Sequence, residues 1–215
     1  MNKAVIVVDF AYKSPQRRGQ GTGRQGLSST LKYLQYRDKT QNQLAANRAY
    51  ERWQDRGMGV HWREILERCE ALQSPHVLAW TWVISPAPDL MALVPQAERR
   101  ELVCALTEHI VEEYYLVRGF DAPEYSYILH DRRTDDGGAQ QLHTHVILGG
   151  TAPLAGCGRG AVYNNTERGH DALFREIASR HFSAALDQAV GPGWQRLREV
   201  EGRPLGSSAE WLERE

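Results

Sequence analysis

The sequence predicts an α+β fold in which helices pack on a central antiparallel sheet. Four segments have the alternating or β-branched composition of strands, and four others have apolar residues at helical spacing. Two of the strand segments follow one another as a hairpin. The elements run β, α, α, β, α, β, β, α along the chain, an order that favours a sheet with helices on one side.

The first half of the chain begins with a strand and continues with two helices. Residues 3–10, KAVIVVDF, are apolar, β-branched and bounded by polar residues, as strands are. The Gly- and Arg-rich stretch 14–26 indicates a loop. Residues 27–56 show helical spacing, with a serine near the start that can cap the helix, and residues 61–73 form a second amphipathic helix.

The second half of the chain combines three strands with two long helices. The first strand, HVLAWTWVIS, is apolar and aromatic, and the Pro86 and Pro88 pair ends it. The first helix has a core stripe and Gly119 in position to cap its C-terminus. The predicted elements are strands at 76–85, 124–131 and 141–150, helices at 98–119 and 170–191, and a loop or short edge element at 156–165.

Length and composition are those of one soluble globular domain. The chain has 215 residues, 41% hydrophobic and 25% charged, which suits a single large core. We therefore assign residues 1–205 to one domain and residues 206–215 to a polar, acidic tail. No apolar run approaches the ~20 residues that cross a bilayer. The N-terminus does not resemble a secretory signal, and the three cysteines form no CxxC pair, so we expect a reduced, cytoplasmic protein.

The charge of the chain is unevenly distributed. The formal net charge is −1, yet the first 40 residues hold eight Lys and Arg against two Asp. Such a concentration is either a solvated basic loop or a surface that binds phosphates.

Three histidines predict a metal site in the second hairpin. His143 and His145 are two residues apart in the strand QLHTHVIL and therefore project from one face. His130 ends the preceding strand, which the hairpin brings alongside. Neutral imidazoles bind divalent ions, and three protein ligands leave positions open for water or substrate. Cupins also carry a His-x-His pattern, but the following VILGG lacks the carboxylate that they normally have.

This histidine pattern resembles the metal motif of the HUH endonucleases. His130 and Asp131, followed after eleven residues by His143, Thr144 and His145, are most similar to the relaxases of the plasmid-mobilisation and T-DNA border nuclease type. The middle residue is often hydrophobic in that family, so Thr144 departs mildly from it. KYLQYR resembles the segment that supplies the family's nucleophile, and TWVISPAPD resembles the strand and turn before its central helix. The similarity spans most of the chain, but only the histidine pattern is specific.

The resemblance implies a ferredoxin-like palm and an enzyme that nicks and rejoins single-stranded DNA at an origin of transfer. In this family a tyrosine forms a 5′-phosphotyrosyl link to the DNA. The implied metal ligands are His130, His143 and His145, holding Mg²⁺ or Mn²⁺. Tyr33 is the favoured nucleophile, and Tyr36 is either a second nucleophile or a packing residue.

Other residues of the implied site are charged or aromatic. Asp131 either orients a histidine ligand or begins the turn, and Asp9 is a candidate carboxylate near the tyrosine. Trp53 and Trp62 are candidate platforms for bases, whereas Trp80 and Trp82 suit the core better. The residues expected to hold phosphates are Arg17, Arg18, Arg24, Lys32 and Arg37.

The family also implies partners, namely relaxosome accessory proteins and a coupling protein. Two neighbouring functions fit the same residues: a rolling-circle replication initiator nuclease, and a non-catalytic DNA-binding accessory protein with the same fold. A metal-dependent oxygenase or small-molecule hydrolase that uses the three histidines is a further alternative.

Overall fold

The computed structural model of the protein describes residues 5–15, 23–36, 53–133 and 140–196. The strands of this part of the chain are β1 (Ile6–Lys13), β2 (Trp53–Arg56), β3 (Ala79–Pro86), β4 (Tyr125–Arg133), β5 (Gln140–Gly149), β6 (Thr151–Pro153) and β7 (Arg159–Ala161). Five of them form one sheet in the order β1-β3-β5-β4-β2, antiparallel at every pair, and β6 and β7 form a separate hairpin. The helices are α1 (Gly23–Tyr36), α2 (Trp62–Ala71), α3 (Pro88–Met91), α4 (Arg99–Leu116) and α5 (His170–Val190). The predicted α+β class is confirmed.

The first helix differs from its predicted extent at both ends. It begins at Gly23, inside the stretch assigned to a loop. The prediction of helix at residues 53–56 is wrong, because these residues form β2, which pairs with β4. Only Trp53 of this short edge strand is buried, and four residues are too few for their periodicity to separate a strand from a helix. Residues 37–52 lie outside the described residues.

Helices cover both faces of the sheet, so the expectation of helices on one side is wrong. Helices α4 and α5 pack on the first face, where the ring centroids of Trp82 and Phe174 are 4.7 Å apart. Helices α1 and α2 pack on the second face, where Leu31 and Ile65 share a cluster with Ile147. The central strands are apolar on both sides, as strands buried between two helical layers are.

Strand β5 turns its two histidines and its threonine to opposite faces. His143 and His145 lie on the second face with Ile147, as the strand period predicts. Thr144 lies on the first face, where its hydroxyl is 2.8 Å from that of Thr107 on α4. Thr107 donates its own hydrogen to the carbonyl of Val103, so Thr144 is the donor between the two hydroxyls.

We expect Thr144→Val to lower the free energy of unfolding by about 1–3 kcal/mol, because the buried Thr107 hydroxyl loses a donor. Chemical denaturation measures this change. The double variant Thr107→Val/Thr144→Val is the control and is expected to lose less than the single variant, since both polar partners are then replaced by apolar groups. A single variant as stable as the wild type would contradict this account of the pair.

The described helices have the lengths and polarity of helices in a globular protein. Within the described ranges, none is both long enough and apolar enough to span a membrane.

Candidate metal centre and tyrosine helix

His130, His143 and His145 meet on the second face of the β4–β5 hairpin. The strand register places His130 directly opposite His143. The ring centroids are 5.4 Å apart for His130 and His143, 4.9 Å for His130 and His145, and 5.1 Å for His143 and His145. One nitrogen from each ring lies within 4.8 Å of the other two, which is close enough for the three to share one ion.

The cluster is deepest at His130 and opens toward the β1 edge of the sheet. His130 is 1% exposed, His143 is 9% exposed and His145 is half-buried. Across the sheet from His145 lie Val83 on β3, which is half-buried, and then Asp9 on β1, which is exposed. Asp9 therefore shares the face of the histidines at about 10 Å, the width of two strand spacings.

Backbone carbonyls determine which nitrogen carries the proton in two of the histidines. Nε2 of His130 lies 3.3 Å from the carbonyl oxygen of Leu34, and Nδ1 of His143 lies 3.4 Å from that of Gln141. A carbonyl can only accept, so these nitrogens donate their N–H, and the other nitrogen of each neutral ring carries a lone pair. His130 thus offers Nδ1 to an ion, and His143 offers Nε2. Such outer partners commonly orient metal-ligating histidines.

The donor set fits a divalent ion. Three imidazoles in one cluster are typical ligands of transition ions, whereas Mg²⁺ prefers oxygen ligands and several waters. Three protein ligands leave coordination positions open, as in catalytic rather than structural centres.

Helix α1 contacts this cluster through the turn that carries Tyr33. Leu34 is the neighbour of Tyr33, and its carbonyl is the partner of His130. Leu27, Leu31 and Leu34 bury one face of the helix, whereas the side chain of Tyr33 is 55% exposed on the other. The phenol of Tyr33 is therefore accessible beside the part of α1 that touches the histidines.

Tyr36, one turn further along α1, is held at the junction with α2. Its hydroxyl lies 3.5 Å from Nε2 of His61. His61 is the N-cap of α2, and its Nδ1 accepts the backbone N–H of Arg63 at 3.3 Å. In the neutral ring Nε2 therefore carries the hydrogen and donates it to Tyr36. This contact between the Tyr36 hydroxyl and His61 favours a packing role for Tyr36.

The fold is similar to that of several solved structures. No family model and no curated protein matches the sequence. A metal-bound structure of the conjugative relaxase TrwC in complex with oriT DNA matches with a TM-score of 0.56 at 13% identity, over 85% of this chain and 70% of that chain. TrwC complexed with a 27-mer DNA comprising the recognition hairpin and the cleavage site matches with a TM-score of 0.54 at 12% identity, over 85% and 69% of the two chains. The chain has the relaxase fold. A copper-bound TrwC complex matches in the same way, with a TM-score of 0.54 at 12% identity over 85% and 70% of the two chains.

Within the relaxase fold, Asp131 lies on the face opposite to the histidines. Side chains alternate along β4, so the residue after His130 points toward α4. There Asp131 forms an ion pair with Arg100 at 3.3 Å. Of the two roles expected for Asp131, this position does not support the orientation of a histidine ligand, since the carbonyls of Leu34 and Gln141 contact His130 and His143 instead.

The structure describes two of the five residues that were expected to hold phosphates. Arg24 forms an ion pair with Glu70 of α2 at 2.5 Å, which cancels its charge locally. Lys32 instead lies over the ring of Trp62, with its Nζ 4.4 Å from the ring centroid. The residues outside the described ranges are Arg17, Arg18 and Arg37.

Only one of the four candidate tryptophans reaches the surface of the relaxase fold. Trp53, Trp80 and Trp82 are each 3% exposed or less, so they belong to the core. Trp62 is half-buried at the start of α2, next to His61. His61 was not predicted as a site residue from the sequence, although Glu64 three residues later signals a capping box at this helix start.

Proposed function

We propose that the protein is a metal-dependent relaxase that nicks single-stranded DNA at an origin of transfer and rejoins it. The observation that carries this proposal is the contact between His130 and the carbonyl of Leu34, which joins the tyrosine-bearing turn of α1 to the three-histidine cluster. The likeness of the fold to relaxase structures that contain oriT DNA supports it.

Tyr33 is the proposed nucleophile. Its phenol oxygen loses its proton and attacks the phosphorus of one phosphodiester, while the bond to the 3′-oxygen breaks and that oxygen leaves as a 3′-hydroxyl. The resulting 5′-phosphotyrosyl ester retains the energy of the broken bond. A 3′-hydroxyl can therefore attack the ester and reseal the strand, which hydrolysis by water would prevent.

The three imidazoles are the proposed metal ligands, through Nδ1 of His130, Nε2 of His143 and one nitrogen of His145. When bound, a divalent ion polarises the scissile phosphate and stabilises the charge that accumulates on it. The carbonyls of Leu34 and Gln141 keep two of the rings in the ligating orientation. Of the two ions expected from the sequence, the all-imidazole donor set favours Mn²⁺ over Mg²⁺.

The proposed substrate is single-stranded DNA, and the proposed partners are relaxosome accessory proteins and a coupling protein. These partners follow from the resemblance to relaxases, and the same proposal places the activity in the cytoplasm, where transfer origins are processed.

The proposal is tested with labelled single-stranded oligonucleotides that tile the inverted repeats of the replicon carrying the gene. With Mn²⁺, we expect one oligonucleotide to form a protein–DNA conjugate that survives SDS, together with a product that ends in a 3′-hydroxyl. EDTA is expected to abolish both, and Mn²⁺ to restore them. Cleavage without any conjugate would indicate hydrolysis and would contradict the tyrosine mechanism.

A further inference from the structure

Ion pairs cancel the charge of many arginines in the described part of the chain. Glu124 alone pairs with both Arg68 and Arg159, at 3.2 and 2.8 Å. Two cations next to the tyrosines differ: within the described ranges, Lys32 and Arg63 form no ion pair with a carboxylate. The arginines that do are Arg24, Arg56, Arg68, Arg100, Arg159, Arg175 and Arg180.

Both cations lie against the ring of Trp62 at the α1–α2 junction. Nζ of Lys32 lies 4.4 Å from the centroid of the Trp62 ring, and Cζ of Arg63 lies 4.9 Å from it. The backbone of Trp62 is tied to α1, because its N–H donates to the side-chain oxygen of the buried Gln35 at 2.8 Å. An aromatic face orders a cation through its quadrupole and leaves the charge in place. Both charges therefore remain available to an anion.

The helix end beside the two cations is already satisfied. Glu64 accepts the N–H groups of Val60 and His61, and His61 accepts that of Arg63. An anion at this place would therefore meet the two side-chain cations rather than the backbone donors of α2.

We propose that Lys32 and Arg63 form a phosphate-binding pair that holds the backbone of single-stranded DNA beside Tyr33. The proposal rests on the proposed function, which supplies the single-stranded substrate. Lys32 directly precedes Tyr33 on α1, and both cations lie against one ring, so they serve the same or neighbouring phosphates next to the scissile one. The pair binds the backbone, so it carries no base specificity.

The test is the salt dependence of single-stranded DNA binding, measured by fluorescence anisotropy in EDTA. Each phosphate contact to a single strand contributes about 0.7 to the slope of log K against log salt concentration. We expect Lys32→Gln/Arg63→Gln to reduce the slope by about 0.7 if both cations neutralise one phosphate and by about 1.4 if they neutralise two, and to weaken binding most at low salt. Both side chains are exposed, so the variant is expected to fold, and thermal unfolding verifies it.

The matched control is Arg68→Gln, which removes an exposed arginine from the same helix as Arg63. The charge of Arg68 is already paired with Glu124, so the salt-dependence slope of Arg68→Gln is expected to equal that of the wild type. Trp62→Leu keeps both cations and is expected to weaken binding without changing the slope. Equal slopes for wild type and Lys32→Gln/Arg63→Gln would overturn the cation pair, as would an equal reduction by Arg68→Gln.

The cation pair and the relaxase proposal fail in different ways. If the wild type forms the SDS-resistant conjugate and Lys32→Gln/Arg63→Gln has the same salt-dependence slope as the wild type, the cation pair is wrong and the relaxase proposal stands. If the wild type never forms the conjugate but the double variant has a reduced salt-dependence slope, the relaxase proposal is wrong and the cation pair stands.

Discussion

Tyr33→Phe is expected to abolish the covalent protein–DNA conjugate. Phenylalanine keeps the ring and removes the oxygen that forms the phosphotyrosyl ester, so no alternative path through this side chain exists. Tyr33 is 55% exposed, and we expect the free energy of unfolding to change by no more than about 0.5 kcal/mol. SDS gel electrophoresis of a reaction with labelled oligonucleotide and Mn²⁺ measures the conjugate.

The matched control is Tyr36→Phe, one turn further along the same helix. This variant removes a hydroxyl that accepts from His61 at the α1–α2 junction, and it is expected to retain the conjugate. If the conjugate persists in Tyr33→Phe and disappears in Tyr36→Phe, the nucleophile is Tyr36. If each single variant retains part of the activity and the double variant has none, both tyrosines are nucleophiles.

His143→Ala is expected to have the second large effect, on metal affinity. Loss of an outer partner of a ligand typically costs 10–100-fold in affinity, and removal of a ligand itself is expected to cost more than about 100-fold. His143 lies at the rim of the cluster with 9% exposure, so the fold is expected to remain. Titration calorimetry with Mn²⁺ measures the affinity, and the rate of nicking is expected to fall in parallel at limiting Mn²⁺.

His76→Ala is the control for the metal prediction, since it removes an exposed imidazole that is not part of the cluster. Its Mn²⁺ affinity is expected to equal that of the wild type. A His143→Ala protein that binds Mn²⁺ as tightly as the wild type would show that the three histidines are not the metal centre.

Much of the fold could be predicted because its main elements are long and regular. The central strands and the two long helices each contain several repeats of their period, which is the signal that local sequence carries best. Strand β2 was missed because four residues, one of them buried, show no period. The second helical layer was missed because a strand that is apolar on both faces does not reveal whether helices or further strands cover them.

The candidate site was predictable to the extent that it lies within one hairpin. The two-residue spacing of His143 and His145 places them on one face, and antiparallel pairing brings His130 opposite His143. The same alternation could have indicated that Asp131 lies on the other face, since it directly follows a residue on the histidine face.

The sequence alone determined the α+β class, the three-histidine cluster and the segment that carries the two tyrosines, because each is local in the chain. Only the tertiary structure decided that the tyrosine segment meets the histidines, since Leu34 and His130 are 96 residues apart and their contact depends on how α1 packs on the sheet. It also decided which cations near Tyr33, among the described residues, form no ion pair with a carboxylate. Arg24 forms an ion pair with Glu70, and Lys32 lies over the ring of Trp62, both on α2. Such contacts depend on helix packing, which local periodicity does not encode.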